Sequence, residues 1–376
     1  MIRILMVVGS LDCGGAESLV MNLFRNIDRS KIVFDFAVHT EYRGFFADEV
    51  ESLGGKIYHF PKYRIINGIK FRKCWNNFFK EHQGEYQIIH THHSSSVAMI
   101  LKIAKKYGLY TIAHSHSAGW DKSLMGLGNR ILSHGTRKVA DHFFACSHIA
   151  AVAEFGEKVA ADSSRCEIIA NGIPTEKYLF NKDIRNRIRK ELNLADNVHL
   201  YGHVGRFVYA KNHQYLIRVF AELLKKDPNS YLLLLGDGEL KNDIVSQVEK
   251  LGIKDHVIMP GLVKNVNEYL QAMDYFIFPS NYEGLPVVLV EAQASGLRIL
   301  KSDVITNEVD VTDLVDALSI QEEPIVWAEK IMQNIDYSRQ NTYEIIKKAG
   351  FDISNSVNYL TKFYTNIIEK RGNKNE

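Results

Sequence analysis

The segment NGIPTEKYLF, residues 171–180, decides the fold because a regular pattern stops there and later begins again. Before it, five short apolar runs alternate with amphipathic segments: IRILMVV, VFDFAVH, YQIIHTH, LYTIAH and DHFFAC. After a polar stretch over residues 181–197, the pattern returns with HLYGHVG, YLLLLG, HVIMPG, YFIFPS and LRILKS. Strand-like runs that alternate with helical segments are typical of a parallel sheet covered by helices. The sequence therefore predicts two doubly wound α/β domains joined near residue 180.

Length and charge agree with two domains and argue against one class of partner. A single core stops growing at roughly 250 to 300 residues, and this chain has 376 residues, 46% of them hydrophobic. Its formal net charge of +2 divides into +5 for residues 1–180 and −3 for residues 181–376. A nucleic-acid-binding protein needs a concentrated basic field. No nucleic-acid partner is therefore expected.

Cysteine usage and the first residues indicate the compartment. Four cysteines, Cys13, Cys74, Cys146 and Cys166, show neither CxxC pairing nor a dense framework. This favours a reduced, cytosolic protein without disulfides. The opening MIRILMVVGS is too short for a membrane span and has no cleavage-site pattern. We expect it to form a buried first strand of a cytoplasmic protein.

Two loops after predicted strands carry groups suited to an anion, and ligands of open α/β sheets bind at the carboxyl ends of the strands. In GSLDCGGAES, Gly14 and Gly15 precede a helix predicted from about Ala16. Its N-terminus would attract an anion, or the glycines only form a tight turn. In GHVGRFVYAKNHQYL, Arg206 follows a strand and Lys211 is predicted in a first helical turn, where a cation opposes the helix dipole. The two cations suit a diphosphate, or they are solvated surface groups.

A third loop and helix, NYEGLPVVLVEAQASG at residues 281–296, contain two glutamates eight residues apart. Pro286 is predicted at the first helical position, and Gly296 falls just past the end of the helix. The helix is apolar nearly all round, so the ionised Glu291 needs a hydrogen-bonding partner. A ribose diol would supply one while Glu283 holds the far end of an extended ligand. The alternative is a buried glutamate satisfied by structural partners.

These residues resemble a known family. Glu283 and Glu291 match the E-x7-E motif of retaining glycosyltransferases with the GT-B fold, and EGLPVVLVEAQASGL is similar to the most specific segment of glycosyltransferase family 4. Further segments lie in family order across nearly the whole chain: GGAES, IIHTHHS, TIAHSHS, IANGIP, GRFVYAKN, GDGEL and SDVITNEV. The resemblance is nearest to the capsular and exopolysaccharide branch. It implies two Rossmann-like domains that face a central cleft, with an acceptor-binding domain at residues 1–180 and a nucleotide-sugar-binding domain at 181–355. A final helix at 356–376 would pack back on the first domain.

The resemblance also implies roles for individual residues. Arg206 and Lys211 would bind the diphosphate of the sugar donor, and Glu291 would bind its ribose. Catalysis would involve Glu283, with the backbone of Gly284 and Leu285 at the transferred sugar, and His114 at a strand end that faces this sugar. The other implied contacts are Gly15, Pro286 and Val287 with the sugar donor, the backbone around Val263 with the base, and Gly14 and His116 with the acceptor. Two departures leave the acceptor open: Arg298 replaces a usual proline, and SDVIT replaces a Gly-rich loop of many relatives.

Eleven of the fifteen histidines precede residue 180. His90 and His92 are predicted on one strand face, as are His114 and His116. A hydrolase-type HxHxDH metal motif would need an aspartate and a histidine where Ser94 and Ser95 stand, and the chain has no DxD pair. We therefore expect no metal and no other cofactor, with arginine and lysine neutralising the diphosphate.

The segment KYRIINGIKFRKCWNNFFK, residues 62–80, has six cations, no acid and five aromatic residues. A basic amphipathic helix of this kind can lie on an anionic membrane, which would place the protein peripherally at the inner face of the cell membrane. The alternative is a helix packed on its own domain with a solvated basic face. The cations concerned are Lys62, Arg64, Lys70, Arg72, Lys73 and Lys80.

The resulting functional prediction is a retaining, metal-independent enzyme that transfers a sugar from a nucleotide-sugar, expected to be a UDP-sugar, to a saccharide or lipid-linked saccharide acceptor. Two alternatives stay open at this point. A sugar-nucleotide 2-epimerase on the same fold would convert the nucleotide-sugar without an acceptor. A non-catalytic subunit would keep Arg206 and Glu291 but would not need Glu283 and His114.

Overall fold

The protein divides into two compact units, which are described separately. The computed structural model describes residues 1–376 except Cys13, residues 93–95, residues 117–134, Asp196 and residues 373–376. The first unit is Met1–Ile173 with Asp352–Glu376, and the second is Pro174–Phe351. The corresponding boundaries predicted from the sequence are 180/181 and 355/356.

Within the described residues, each unit contains one sheet in which all neighbouring strands pair in parallel. The strands of the first unit are β1 (Ile2–Val8), β2 (Ile32–Val38), β3 (Ile57–His59), β4 (Ile88–Thr91), β5 (Tyr110–Ser115), β6 (His142–Ala145) and β7 (Cys166–Ile168). Those of the second are β8 (Leu200–Val204), β9 (Tyr231–Leu235), β10 (Val257–Gly261), β11 (Tyr275–Phe278), β12 (Arg298–Ser302) and β13 (Val315–Leu318). The strand orders are β3-β2-β1-β4-β5-β6-β7 and β10-β9-β8-β11-β12-β13.

Helices connect the strands. In chain order they are α1 (Gly15–Asn26), α2 (Ala47–Ser52), α3 (Gly68–Glu81), α4 (Val97–Lys106), α5 (Thr136–Val139), α6 (His148–Phe155), α7 (Glu157–Ala160), α8 (Lys182–Glu191), α9 (His213–Lys226), α10 (Lys241–Lys250), α11 (Val266–Ala272), α12 (Val287–Ala294), α13 (Pro324–Gln333), α14 (Tyr343–Lys348) and α15 (Ile353–Gly372). None of the helices within the described residues has both the length and the apolar character needed to cross a membrane.

The strands form where the sequence is apolar on both faces, as expected for parallel sheets covered by helices. In β1, residues 4–7 are fully buried. Phe24 of α1 stacks on Phe34 of β2 with ring centroids 5.4 Å apart. On the second unit, α9 buries Leu216, Phe220 and Leu223 at helical spacing against its sheet. The predicted doubly wound architecture is confirmed in both units.

The last helix belongs to the first unit. A parallel bridge joins Ile173 to Asp352, and the N–H of Ile353 donates to the carbonyl of Ile173 at 2.8 Å. From there α15 packs against α1, with Leu360 and Tyr364 buried in the core of the first unit. The prediction that the final helix returns to the first domain is confirmed.

Candidate functional site

The most informative loops of the second unit leave its sheet at the point where the strand order reverses. β8 and β11 are neighbours, with Tyr201 opposite Tyr275. Their chain connections run to opposite sides of this pair, so the loops that follow them separate at its carboxyl end. Such switch points are where open α/β sheets bind ligands. The loop after β8 carries Arg206 and Lys211, and the loop after β11 carries Glu283.

The loop after β8 ends in a tight turn that places Lys211 differently from the sequence prediction. Residues 209–211 form a single 3₁₀ turn, and Asn212 has a left-handed conformation with φ of +52°. Asparagine tolerates this conformation better than most residues. The helix α9 therefore begins at His213, and Lys211 lies before it instead of in its first turn. The prediction that Lys211 opposes the dipole of this helix is therefore wrong. Arg206 is exposed on the same loop.

Asparagine side chains join the loops after β8 and β11. Asn212 Nδ2 donates to the carbonyl of Pro279 at 3.1 Å, and Asn281 Nδ2 donates to the carbonyl of Tyr209 at 2.7 Å. The backbone N–H of Asn281 also donates to the carbonyl of Ala210 at 2.8 Å. These bonds fix the two loops in one arrangement.

This arrangement brings Lys211 to Glu283. The ammonium Nζ lies 2.7 Å from Glu283 Oε1, as an ion pair rather than a well-directed hydrogen bond, and the two side chains are 17% and 14% exposed. The same ammonium lies 5.0 Å from the ring centroid of Phe278. The aromatic face and the carboxylate together hold the ammonium in position. The structure thus brings together two residues that the sequence placed 72 positions apart.

The helix after this loop begins one residue later than predicted. Pro286 precedes α12 with ψ of +87°, outside the helical range, so Val287 is the first helical residue. Gly284 and Val287 are half-buried, while Leu285 and Pro286 are buried. No side chain among the described residues caps the N-terminus of α12. Gly296 lies just past its end with φ of +67°, as predicted.

Glu291 has a partner that the sequence did not indicate. Tyr178 donates its hydroxyl proton to Glu291 Oε1 at 2.8 Å from the 3₁₀ turn Thr175–Tyr178. Burial raises the pKa of Glu291, and the hydrogen bond from Tyr178 opposes this rise. Tyr178 lies within the segment that marks the domain boundary, and no motif or spacing in the sequence points from it to Glu291. Val263 is half-buried in the turn between β10 and α11.

The glycine loop of the first unit is less suited to an anion than predicted. Gly14 caps α1, which begins at Gly15. A side chain at Gly14 would clash with the carboxylate of Glu17, so this carboxylate lies against the N-terminus of the helix. An acid in the first turn already complements the helix dipole.

Four histidines form a compact cluster at the carboxyl ends of β4 and β5, and the two members of each pair lie on one strand face, as predicted. His90 stacks on His92 with ring centroids 4.3 Å apart, and His114 stacks on His116 at 4.2 Å. Across the strands, His90 Nε2 lies 3.3 Å from His114 Nδ1, and His92 Nδ1 lies 2.8 Å from His116 Nε2. Burial lowers the pKa of all four rings, so they are neutral near pH 7.

Three rings of this cluster have nitrogens spaced closely enough for a metal. Ligand atoms of His90, His92 and His114 lie within 4.8 Å of one another. Imidazole is a ligand for zinc and several other transition metals. However, His90 also uses Nδ1 in a 2.7 Å hydrogen bond with the hydroxyl of Tyr364 on α15. Metal binding would disrupt the ring contacts, and the absence of a metal stays a prediction.

The helix of the basic segment packs on its own unit with an exposed basic face, as the alternative predicted, and its exposed apolar residues are not the aromatic ones. Four of its aromatic residues, Phe71, Trp75, Phe78 and Phe79, are buried in their own unit. Three isoleucines are instead 84–91% exposed: Ile65 and Ile66 in the 3₁₀ turn that precedes α3, and Ile69 in its first turn. Asn67 holds this turn, since its Oδ1 accepts from the N–H of Arg64 and its Nδ2 donates to the carbonyl of Lys62. All six cations of the segment are exposed.

Comparisons with known proteins point to one family. The family model "Glycosyl transferases group 1" matches residues 184–351, and "Glycosyltransferase Family 4" matches residues 13–177. The chain is 32% identical over 385 residues to a putative glycosyltransferase, EpsF of Bacillus subtilis, covering 99% of this chain and 98% of EpsF. It is 26% identical over 326 residues to the Escherichia coli UDP-Gal:alpha-D-GlcNAc-diphosphoundecaprenol alpha-1,3-galactosyltransferase, covering 81% and 82% of the two chains.

A solved structure shares the fold. Anabaena HepE in complex with UDP-glucose superimposes with a TM-score of 0.78 at 16% identity, covering 97% of this chain and all of HepE. This similarity supports the GT-B fold, and the near full-length match to EpsF extends through both matched regions. The chain belongs to glycosyltransferase family 4.

Proposed function

We propose that this protein transfers a sugar, with retention of configuration, from a UDP-sugar to a saccharide or lipid-linked saccharide acceptor in the synthesis of a capsular, exopolysaccharide or related cell-surface glycan. The observation that carries the proposal is the joined pair of loops at the β8–β11 switch point. There Lys211 and Glu283 form a 2.7 Å ion pair, and the exposed Arg206 lies on the same loop as Lys211. Groups for a diphosphate and for a sugar thus lie on adjoining loops.

The remaining contacts of the sugar donor follow along the same edge of the sheet. Arg206 and Lys211 bind the diphosphate, to which the uncapped N-terminus of α12 also contributes. Glu291 accepts hydrogen bonds from the ribose hydroxyls, and the backbone near Val263 meets the base. The backbone of Gly284 and Leu285, followed by Pro286 and Val287, borders the transferred sugar. The named E. coli relative uses UDP-Gal, which supports uridine as the base.

Catalysis in this proposal depends on positioning and charge stabilisation. Cations at the diphosphate favour the departing UDP, and Glu283 orients the sugar hydroxyls beside the positive charge that develops on the reacting carbon. His114 acts at the same sugar, and Gly14, Gly15 and His116 are assigned to the substrates through the family resemblance alone. With Arg206 and Lys211 neutralising the diphosphate, the reaction needs no divalent ion.

In this proposal the acceptor lies at a membrane surface, which the exposed isoleucines and cations of residues 62–80 contact. Exposed isoleucines are costly in water but favourable in the interfacial region of a bilayer. Each nearby lysine or arginine adds attraction to anionic lipids, worth about 1 kcal/mol per residue. The E. coli relative is named for an acceptor on diphosphoundecaprenol. We assign Ile65, Ile66 and Ile69 to shallow insertion into the membrane and the surrounding cations to its anionic headgroups.

A panel of nucleotides and nucleotide-sugars tests the reaction. UDP and one UDP-sugar should raise the thermal midpoint more than the ADP, GDP and TDP equivalents. Product NMR with a saccharide acceptor should then show the anomeric configuration of the sugar donor retained. Conversion of the nucleotide-sugar without an acceptor would identify an epimerase, and binding without any turnover would identify a non-catalytic subunit.

Vesicle co-sedimentation tests the membrane surface. The protein should bind phosphatidylglycerol vesicles in preference to phosphatidylcholine vesicles, and binding should weaken with salt. Replacing Ile65, Ile66 and Ile69 with serine should abolish most of this binding without changing the thermal midpoint. The matched control replaces Lys241, Lys250 and Lys254, which are exposed on the second unit, with glutamine. Equal losses from both triple variants would refute the assignment.

A further inference from the structure

The C-terminal helix reaches the histidine cluster through one side chain. Tyr364 of α15 is fully buried and stands edge-on to Phe34, with ring centroids 6.3 Å apart. Its hydroxyl lies 2.7 Å from His90 Nδ1, and His90 Nε2 lies 3.3 Å from His114 Nδ1. A continuous chain of three side chains therefore connects the last helix to the ring that the proposed function places at the transferred sugar.

Each neutral imidazole has one N–H and one lone pair, so the chain can be arranged in only two directions. In the first, Tyr364 donates to His90 Nδ1, His90 Nε2–H donates to His114 Nδ1, and His114 carries its proton on Nε2. In the second, His114 Nδ1–H donates to His90 Nε2, His90 Nδ1–H donates to the oxygen of Tyr364, and the tyrosine proton points elsewhere. No second partner of the Tyr364 hydroxyl is present among the described residues. The second direction thus leaves two buried atoms unsatisfied, the O–H of Tyr364 and the lone pair of His114 Nε2, whereas the first leaves only the N–H of His114 Nε2.

The end of the first direction is an unused hydrogen-bond donor. His114 is 4% exposed, and its Nε2 is buried without a hydrogen-bond partner among the described side chains and backbone. An N–H in that position carries an unmet cost that an oxygen acceptor on a ligand would relieve. Sugar hydroxyl oxygens are such acceptors.

We propose that Tyr364 and His90 are positioning residues that hold His114 in the Nε2–H tautomer, so that His114 donates a hydrogen bond to an oxygen of the transferred sugar. The hydrogen bond from His114 to the sugar rests on the proposed function. The tautomer of His114 does not depend on that function. Tyr364 and His90 do not touch the sugar. A metal at the cluster is incompatible with this arrangement, because both nitrogens of His90 are engaged in the chain.

Histidine-labelled protein allows the tautomers to be measured directly. Two-bond ¹H–¹⁵N spectra, assigned with His90→Gln and His114→Gln variants, should show Nε2 protonated and Nδ1 unprotonated in both rings. Tyr364→Phe keeps the ring but removes the hydroxyl, so a second tautomer of His90 and His114 should appear. Tyr275→Phe, which alters a buried tyrosine of the second unit, serves as the control and should change neither spectrum.

Kinetics add a readout that a purely structural role would not give. Tyr364→Phe should lower kcat roughly two- to tenfold, the range for one misplaced neutral hydrogen bond, with KM for the nucleotide-sugar nearly unchanged. A His114 ring with Nδ1 protonated in the wild type would overturn the inference, as would identical spectra of the wild type and Tyr364→Phe. Stoichiometric Zn²⁺ binding that is lost in His90→Gln would also overturn it. By contrast, suppose that the wild type shows the expected tautomers of His90 and His114 while His114→Ala keeps full activity. That result would refute only the contact of His114 with the sugar in the proposed function.

Discussion

Glu291→Gln is expected to weaken UDP binding while leaving the ligand-free protein nearly as stable as the wild type. Glutamine keeps the shape of the side chain and an oxygen that accepts from Tyr178, whose hydroxyl lies 2.8 Å from Glu291 Oε1 in the wild type. The substitution therefore removes the charge and little else. If the carboxylate serves a ribose diol, the loss should appear mainly when the ligand binds.

The ribose hydrogen bonds determine the expected loss of UDP affinity, and the Tyr178 hydrogen bond determines the expected change in stability. A hydrogen bond to a charged group contributes about 1.5–3 kcal/mol and a neutral one about 0.5–1.5 kcal/mol. Two ribose bonds that change from charged to neutral should thus cost about 2 kcal/mol, or roughly a 30-fold weaker Kd. In the ligand-free protein the Tyr178 bond weakens by about 1 kcal/mol, but the cost of a partly buried charge disappears. We expect the net change in unfolding free energy at pH 7 to lie within about 1 kcal/mol of zero.

The pH dependence has a definite sign. Burial raises the pKa of folded Glu291, whereas an unfolded glutamate titrates near pH 4.3, roughly its unperturbed value. As pH rises, the unfolded chain releases this proton first, so wild-type stability falls between the unfolded pKa and the raised folded pKa. Glutamine has no such proton. The stability of the Glu291→Gln protein relative to the wild type should therefore increase across that pH window and remain constant above it.

Thermal unfolding at several pH values, with and without UDP, measures both effects, and calorimetry gives the Kd. Tyr178→Phe is the matched control, because it removes the partner of Glu291 but keeps the carboxylate for the ribose. This control should lower the ligand-free midpoint more than Glu291→Gln does and should weaken UDP binding less. A destabilised Glu291→Gln protein with unchanged UDP affinity would show that Glu291 is a structural residue.

Three further predictions concern the loops at the switch point and the metal. Arg206→Ala should weaken UDP binding by about 1.5–3 kcal/mol by calorimetry, whereas Arg218→Ala, an exposed arginine on α9, should not; equal Kd values for the two variants would refute the diphosphate assignment. Glu283→Gln should lower kcat by roughly 100-fold or more. The same variant should bind free UDP about two- to fivefold more tightly, since the substitution releases Lys211 from its ion pair. Weaker UDP binding by this variant would contradict the prediction. Activity should survive exhaustive EDTA treatment, and loss of turnover that Mg²⁺ or Mn²⁺ restores would rule out metal-independent transfer.

Most strands that could be predicted from the sequence are covered on both faces. All ten apolar runs used in the prediction form strands, and nine of these are interior strands, which need apolar residues on both sides. The tenth, β10, lies at a sheet edge and is partly exposed, but its run HVIMPG is still apolar enough to be recognised. β3, β7 and β13 were not predicted. All three lie at sheet edges, have only three or four residues and are partly exposed. Their positions depend on a neighbour that supplies hydrogen bonds, which the local sequence does not encode.

The site was predictable as residue types but not as contacts. Arg206, Lys211, Glu283 and Glu291 were selected by chemistry and motif, and the structure places the first three on adjoining loops. The predicted start of α9 was wrong, because Asn212 has a left-handed conformation and the helix begins only at the next residue, His213. Tyr178 was missed, since a tyrosine in a boundary segment has no periodicity that relates it to a helix more than 100 residues away.

Two of the proposed ligand groups share a property that no motif could indicate: each already has a protein partner. Lys211 is paired with Glu283, and Glu291 accepts from Tyr178. Binding at these positions is therefore an exchange of partners, so its net free energy is smaller than the gross strength of the new contacts. Arg206 makes no ion pair with any described residue and is exposed, so it has less to exchange. We infer that Arg206 binds the diphosphate first. Lys211 then leaves Glu283 and binds the phosphates, so that Glu283 is available to bind the sugar. The opposite effects expected for Glu283→Gln on UDP affinity and on turnover follow from this exchange, because one carboxylate competes for Lys211 before binding and orients the sugar afterwards.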